Sequence, residues 1–258
     1  MSLLLWSAQL ADSARIAEIH MASFGPNAML RAQFPTPETR EALQASIELK
    51  TSADIQDTNT TVLIVRLVDA KSEDCNPLKS SRDTEEGKTS ESTAGRIIGF
   101  AKWAHAVDDE DYVEPPWIWP AGTALDVLNE WTRQTENKYN RVMAFAPCYR
   151  KLDPAHERSG TGSLMLQWGM DQCRKSGYQA YLESTVEAAP FYKKHGFKAA
   201  TTISLVIGVT PNGEPLVYRE IGFVYDPSKR DKGGGFLSLL AELGWFSFVR
   251  RLCRTIVK

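Results

Sequence analysis

A strand-like run that closes at Leu152 is followed by a turn holding Gly160 and Gly162, and an amphipathic helix begins at once over Gly160 to Ser176. That order fixes a local architecture. The first N–H groups of a helix have no intrahelical acceptor, and the helix dipole adds partial positive charge at that end. Two glycines keep side chains out of the approach. The turn is therefore predicted to cradle an anion such as a diphosphate. It is not a P-loop, because no Gly-Lys-Ser/Thr follows, and it lacks the third glycine of a dinucleotide fingerprint.

The rest of the chain reads as alternating strands and helices around that turn. Leu3 to Ala8 forms a first strand, and Asp12 or Ser13 caps a helix whose apolar face is Ile16, Ala17, Ile19, His20 and Phe24. Gly25-Pro26-Asn27 breaks it, and a second helix starts after Pro37. Thr60 to Val68 and Arg96 to Ala104 are β-branched strands. Between them, residues 69–94 are almost wholly polar and are expected to form a mobile loop. A helix over Thr123 to Tyr139 precedes a strand over Val142 to Leu152, whose alternation Pro147 and Arg150 interrupt. After the glycine turn come the strand from Ala180, a short helix over Ala188 to Lys194, and strands near Thr202–Val206 and Leu216–Val224 joined at Pro211-Asn212-Gly213. The predicted class is α/β, one central mixed sheet flanked by helices, over residues 1–226. Residues 227–258 form a linker, with Gly233, Gly234 and Gly235, and an amphipathic C-terminal helix with a basic end.

Composition narrows the function. With 258 residues, a net charge of -2 and 24% charged residues, the chain has the balance of a globular protein and not of a nucleic-acid binder. Cys75, Cys148, Cys173 and Cys253 are scattered without a Cys-x-x-Cys pair, so neither a metal site nor a disulfide framework is expected. The N-terminal apolar run lacks the basic flank and length of a signal peptide, and no stretch reaches membrane-span length, which predicts a cytoplasmic protein.

A second segment completes the pattern: Ala180-Tyr181-Leu182-Glu183-Ser184-Thr185, then Pro190-Phe191-Tyr192-Lys193-Lys194-His195-Gly196-Phe197. With Glu157-Arg158-Ser159-Gly160-Thr161-Gly162, it resembles the GNAT (GCN5-related N-acetyltransferase) superfamily, in particular fungal-type members with a long insert, here residues 105–141, before the fourth strand. The family's loop is Gln/Arg-x-x-Gly-x-Gly/Ala, and its second signature is a Tyr four residues before Gly-Phe. The resemblance implies an acetyl-CoA-dependent N-acetyltransferase working by direct attack in a ternary complex. It implies that backbone N–H groups of Arg158, Ser159, Gly160, Thr161, Gly162 and Ser163 hold the CoA pyrophosphate. Leu152 and Asp153 would pair with the pantetheine amides as an added strand does. Tyr192 would protonate the departing thiolate, and Glu183 is the candidate base for the amine. Glu157 stands where Gln or Arg is usual and Ser159 where a basic residue is common. Thr185 takes the place of a frequent Asn that orders the cofactor.

The acceptor is less constrained. Tyr112, Trp117, Trp119 and Trp131, near Asp108 to Asp111 and Glu114, offer either an aromatic wall with an acidic rim for a cationic amine or a self-packed lid. A small-molecule amine is the expected substrate. A protein lysine or N-terminal amine, and a non-catalytic CoA-binding module, are the alternatives. No nucleic acid is expected, and the C-terminal helix is a candidate for homodimer or membrane-surface contact. His105 and His156 are read as structural and loop-side residues, and His195 as solvated beside Lys193 and Lys194.

Overall fold

The computed structural model describes residues 2–68, 95–105, 112–142, 148–152 and 160–229, with backbone alone over 148–152. The expected mobile loop at 69–94, Asp153, His156, Arg158, Ser159 and the C-terminal helix lie outside the described residues. The elements are β1 (Ser2–Ser7), α1 (Ser13–Phe24), α2 (Ala28–Gln33), α3 (Pro37–Gln56), β2 (Thr60–Val68), β3 (Arg96–Ala104), α4 (Leu125–Val142), β4 (Cys148–Leu152), α5 (Thr161–Ser176), β5 (Ala180–Thr185), α6 (Ala189–Lys194), β6 (Lys198–Val209) and β7 (Pro215–Tyr225).

The predicted α/β class holds, and the sheet is divided. Strands β1-β2-β3-β4 form one antiparallel sheet, and β5-β7-β6 form another. The last strand of the first sheet, β4, and the outer strand of the second, β5, lie in contact, with no ladder between them among the described residues. Helix α5 closes that seam. Its Met165, Leu166, Met170 and Cys173 share one core cluster with Leu63, Val65, Ala101 and Trp103 of the first sheet and Ala180, Leu182 and Phe223 of the second. Burying a side chain of this size contributes about 1.5–3 kcal/mol. The alternate residues Val62, Ile64 and Phe100 face the other way, against Ile16 and Ile19 of α1. This is the two-residue period of a strand buried on both faces.

Local chemistry explains the helix starts. Thr36 accepts from the Thr39 N–H at 3.1 Å, with Pro37 in the first turn of α3. The Asp12 carboxylate accepts from the Gln9 N–H at 2.8 Å and from Arg66 at 2.7 Å, just ahead of α1. At Asn27, where the sequence signals only a break, the side chain accepts from the Met29 and Leu30 N–H groups and starts α2. Helix α5 ends at Gly177, whose φ of 77° is left-handed.

The segment before α4 packs on α3. Trp117 and Trp119 stack at 4.7 Å, Trp119 meets the Phe34 ring at 5.9 Å, and both lie against the cluster of Ala17, Leu30, Leu43 and Ile47. Tyr112 donates to Asp57 at 2.7 Å, and Lys50 donates to Glu114 at 3.0 Å and to Asp54 at 2.5 Å. Lys102 of β3 reaches the same buried Asp54. Of the four aromatics proposed for an acceptor wall, three therefore serve this lid-like packing. Trp131 alone is elsewhere.

Candidate functional site

The glycine turn enters α5 as the sequence implies. Gly160 has φ of 88°, a left-handed conformation that side chains disfavour, and a Cβ built there meets nothing within 4 Å. Among the described residues, nothing fills the space beside it. Gly162 is different: a Cβ would lie 3.3 Å from the Phe191 ring, so α6 sits tight against the first turn of α5. Thr161 is fully buried behind them, and the Leu164 N–H is the one that bonds back to the Gly160 carbonyl, at 3.0 Å. Helix geometry gives the N–H groups of Gly162 and Ser163, in the first turn of α5, no acceptor within the helix. First-turn amides and the helix dipole suit an anion such as a diphosphate.

His195 belongs to this corner, contrary to its reading as a solvated residue. Its Nδ1 lies 2.9 Å from the Phe191 carbonyl and its Nε2 lies 3.1 Å from Ser163 Oγ. A carbonyl only accepts, so Nδ1 carries a proton and donates to it, while Nε2 shares the second bond with the Ser163 hydroxyl. The imidazole also lies 4.5 Å from the Phe191 ring. The flanking lysines hid this, because the partners come from α5 and from one turn back. Replacing His195 with alanine removes both bonds; about 1–2 kcal/mol of stability is expected to go with them, read by urea denaturation.

Tyr192 lies on α6 and is half-buried, its ring packed against Phe223 at 5.9 Å, Phe197 at 6.1 Å and Phe191 at 5.3 Å. It is on the α5 side of the second sheet. Glu183 is on the other side, since it pairs with Gly222 and not with Phe223. The two candidate catalytic groups therefore approach the outer strand β5 from opposite faces. The Thr185 hydroxyl accepts from the Ala188 N–H at 3.4 Å, capping the turn into α6. Backbone pairing extends β4 to Leu152, opposite Gly99, so its end lies at the seam beside β5. His105 is taken up by Thr61 Oγ1 at 2.7 Å. Burial pushes the Cys173 thiol up to about 11, which makes it an inert core residue.

The face of Glu183 is where the electrostatics concentrate. Burial first, then the Glu220 charge, push the Glu183 carboxyl up to about 7, although Tyr181 donates to it at 3.2 Å. Gly222 makes this possible: a Cβ there would lie 2.6 Å from the Tyr181 hydroxyl. On β7, Tyr218 donates to Glu220 at 2.7 Å and accepts from Asn27 Nδ2 at 2.9 Å. Helix α4 covers the face with rings: Tyr139 lies edge-on to Tyr181 at 5.3 Å and Trp131 to Tyr218 at 5.4 Å. A cavity of about 440 Å³ opens next to it, lined by Asn27, Thr185, Glu187 and Tyr218 among others. Sequence reasoning found Glu183 but not Glu220, Tyr218 or Asn27, because only strand register and the α1–α2 corner bring them together.

Comparison with known proteins bears on the fold. Residues 91–199 match the family model described as an acetyltransferase (GNAT) domain. No curated protein matches the chain. Among solved structures, the histone acetyltransferase HPA2 and related acetyltransferase of Corynebacterium glutamicum is 18% identical, covers 90% of this chain and 99% of its own, and superposes with a TM-score of 0.51. An N-acetyltransferase from Staphylococcus aureus Mu50 is 15% identical over 88% of this chain and 99% of its own, with a TM-score of 0.46. The yncA protein of Salmonella typhimurium, solved with its cofactor acetyl-CoA, is 14% identical over 89% and 96%, with a TM-score of 0.46. The segment that matches the family model includes both the glycine turn and Tyr192.

Proposed function

We propose that the protein transfers the acetyl group of acetyl-CoA to the primary amine of a small molecule, by direct attack while both substrates are bound. The observation that carries this reading is the Glu183 carboxyl, pushed up to about 7 beside the β4–β5 seam. An amine is nucleophilic only when neutral, and a base with proton affinity near neutrality is matched to removing its proton. The cavity of about 440 Å³ that shares Tyr218 with this face is of a size for a small acceptor.

The chain's own groups then have separate tasks. The amides of Gly162 and Ser163 bind the diphosphate at the start of α5. The edge of β4 near Leu152, which forms no ladder with β5 among the described residues, aligns the pantetheine arm along the seam. Glu183 takes the proton that the amine loses as its nitrogen bonds to the acetyl carbon. The sulfur leaves as thiolate, and Tyr192, on the opposite face of the second sheet, returns a proton to it. Steady-state thiol release from acetyl-CoA across a panel of primary amines, peptides and lysine-containing proteins tests the reading. Release with small amines supports it; release with proteins alone, or with nothing, overturns it. In the same assay Tyr192→Phe is expected to lower kcat by about tenfold or more with little change in CoA binding. Unchanged kcat removes Tyr192 from the chemistry.

A further inference from the structure

We propose that the acceptor is a diamino acid held by its head group and acetylated on its side-chain amine: Arg219 takes the carboxylate, Glu187 takes the α-ammonium, and the far amine reaches Glu183. The inference rests on the acetyl-transfer reading above and names its substrate class.

The cavity exists because one strand stops before its neighbour does. β5 pairs with β7 from Ala180↔Tyr225 to Thr185↔Glu220, whereas β7 begins at Pro215. β6 holds the other edge of β7 along this stretch. Among the described residues, the edge of β7 over 215–219 therefore has no strand partner on the β5 side. Val217, Tyr218 and Arg219 all line the cavity. Consecutive strand residues point to opposite faces, so a space that touches three in a row runs along the edge of the strand. Thr185 and Glu187, where the chain leaves β5, and Asn27 of the α1–α2 corner complete the wall.

Charge then selects the occupant. Glu187 and Arg219 are the two charged residues of the lining, and both are exposed. They share the cavity without bonding to each other, and among the described residues neither has a hydrogen-bond or ion-pair partner. A guanidinium presents a planar fork that fits a carboxylate. The Glu187 carboxylate, whose charge acts on Tyr218 in the same wall, suits an ammonium. A ligand of single charge leaves one of the two unmatched, and a zwitterion answers both.

The reacting end lies farther along the strand. Thr185, in the cavity wall, and Glu183 are alternate residues of β5, so they share a face and stand about 7 Å apart. A flexible aliphatic arm, as in lysine or ornithine, spans such an interval and brings its terminal amine to the base. Its nitrogen bonds to the acetyl carbon as the carbon–sulfur bond breaks. Glu183 takes the proton that the amine loses, and Tyr192 returns one to the thiolate.

The test measures thiol release with lysine and ornithine beside three controls. These are the diamines that lack the carboxylate, 6-aminohexanoate, which lacks the α-amine, and a lysine peptide blocked at both ends. Tandem mass spectrometry locates the acetyl group. kcat/KM is expected to be about tenfold or more higher for a diamino acid than for either small control, with the acetyl on the side-chain nitrogen. Arg219→Gln should erase the preference over the diamine, and Glu187→Gln the preference over 6-aminohexanoate, each through KM. Each preference is a ratio within one protein, so any loss of folded enzyme cancels. Either small control used as well as the diamino acids, acetyl on the α-nitrogen, or a preference that survives its own variant overturns the head-group assignment and leaves acetyl transfer to small amines standing. Release with the blocked peptide alone, or with no amine, overturns that transfer itself and this inference with it.

Discussion

Glu183→Gln is expected to lower kcat by about a hundredfold or more, and the same substitution to make the protein more stable at pH 8. The two effects have one origin. A carboxyl held at about 7 in the fold, against an ordinary value of 4.5, binds its proton more tightly folded than unfolded. Between those values the folded state carries more protons, so stability falls as pH rises through the window and the penalty is complete above it. Below about pH 4.5 the group is neutral in both states and costs nothing. Glutamine has the shape of the neutral acid and never ionises. The variant should therefore match the wild type below about pH 4 and gain about 1–2 kcal/mol at pH 8, a rise of about 2–6 °C in Tm. Thermal melts at the two pH values, set beside thiol-release rates, check it. A Tm difference that does not grow with pH means that Glu183 is solvated, and its fitness as a base near neutrality goes too.

The element order was legible because each element carries its own signal. Alternation marks Thr60–Val68 and Arg96–Ala104, Thr36-Pro37 starts α3, and Gly177 ends α5. The glycine turn and the Tyr192 helix were legible for the same reason, being contiguous and local. What escaped depends on pairing. Period-two alternation says which residues share a face of one strand but not which strand lies beside it, so the division between β4 and β5 could not be read. Glu220 is an unremarkable polar residue of β7 until register sets it diagonal to Glu183. Asn27 looked like a simple stop because its two partners, the start of α2 and Tyr218, lie in opposite directions along the chain. Trp117 and Trp119 misdirected the acceptor reading: aromatic residues near acidic ones have the composition of a cation site, yet here they fill a groove over α3.

Gly169→Ala should be among the most destabilising single-methyl changes available in this fold. In an exposed helix the substitution gains about 0.8–1 kcal/mol, because alanine is the better helix former. Here the sign reverses. A Cβ at Gly169 would lie 1.7 Å from Trp103 Cη2 and 1.8 Å from Cζ2, so the indole rests directly on the α5 backbone. The ring is buried, its Nε1 has no hydrogen-bond partner among the described residues, and Trp168 adjoins it at 6.0 Å. It cannot tilt aside without losing core contacts or lifting α5. The expected cost is about 2–4 kcal/mol, or about 4–15 °C in Tm. Function should suffer with stability, since Trp103 pairs with Cys148 and so ties the seating of α5 to the strand that borders the seam. Shrinking the ring discriminates packing from a general intolerance of the helix. In a Trp103→Leu background, Gly169→Ala should cost little or become stabilising, a coupling of several kcal/mol in a double-mutant cycle. Additive effects would mean that the indole does not lie on Gly169, and the close seating of α5 across the two sheets would have to be abandoned.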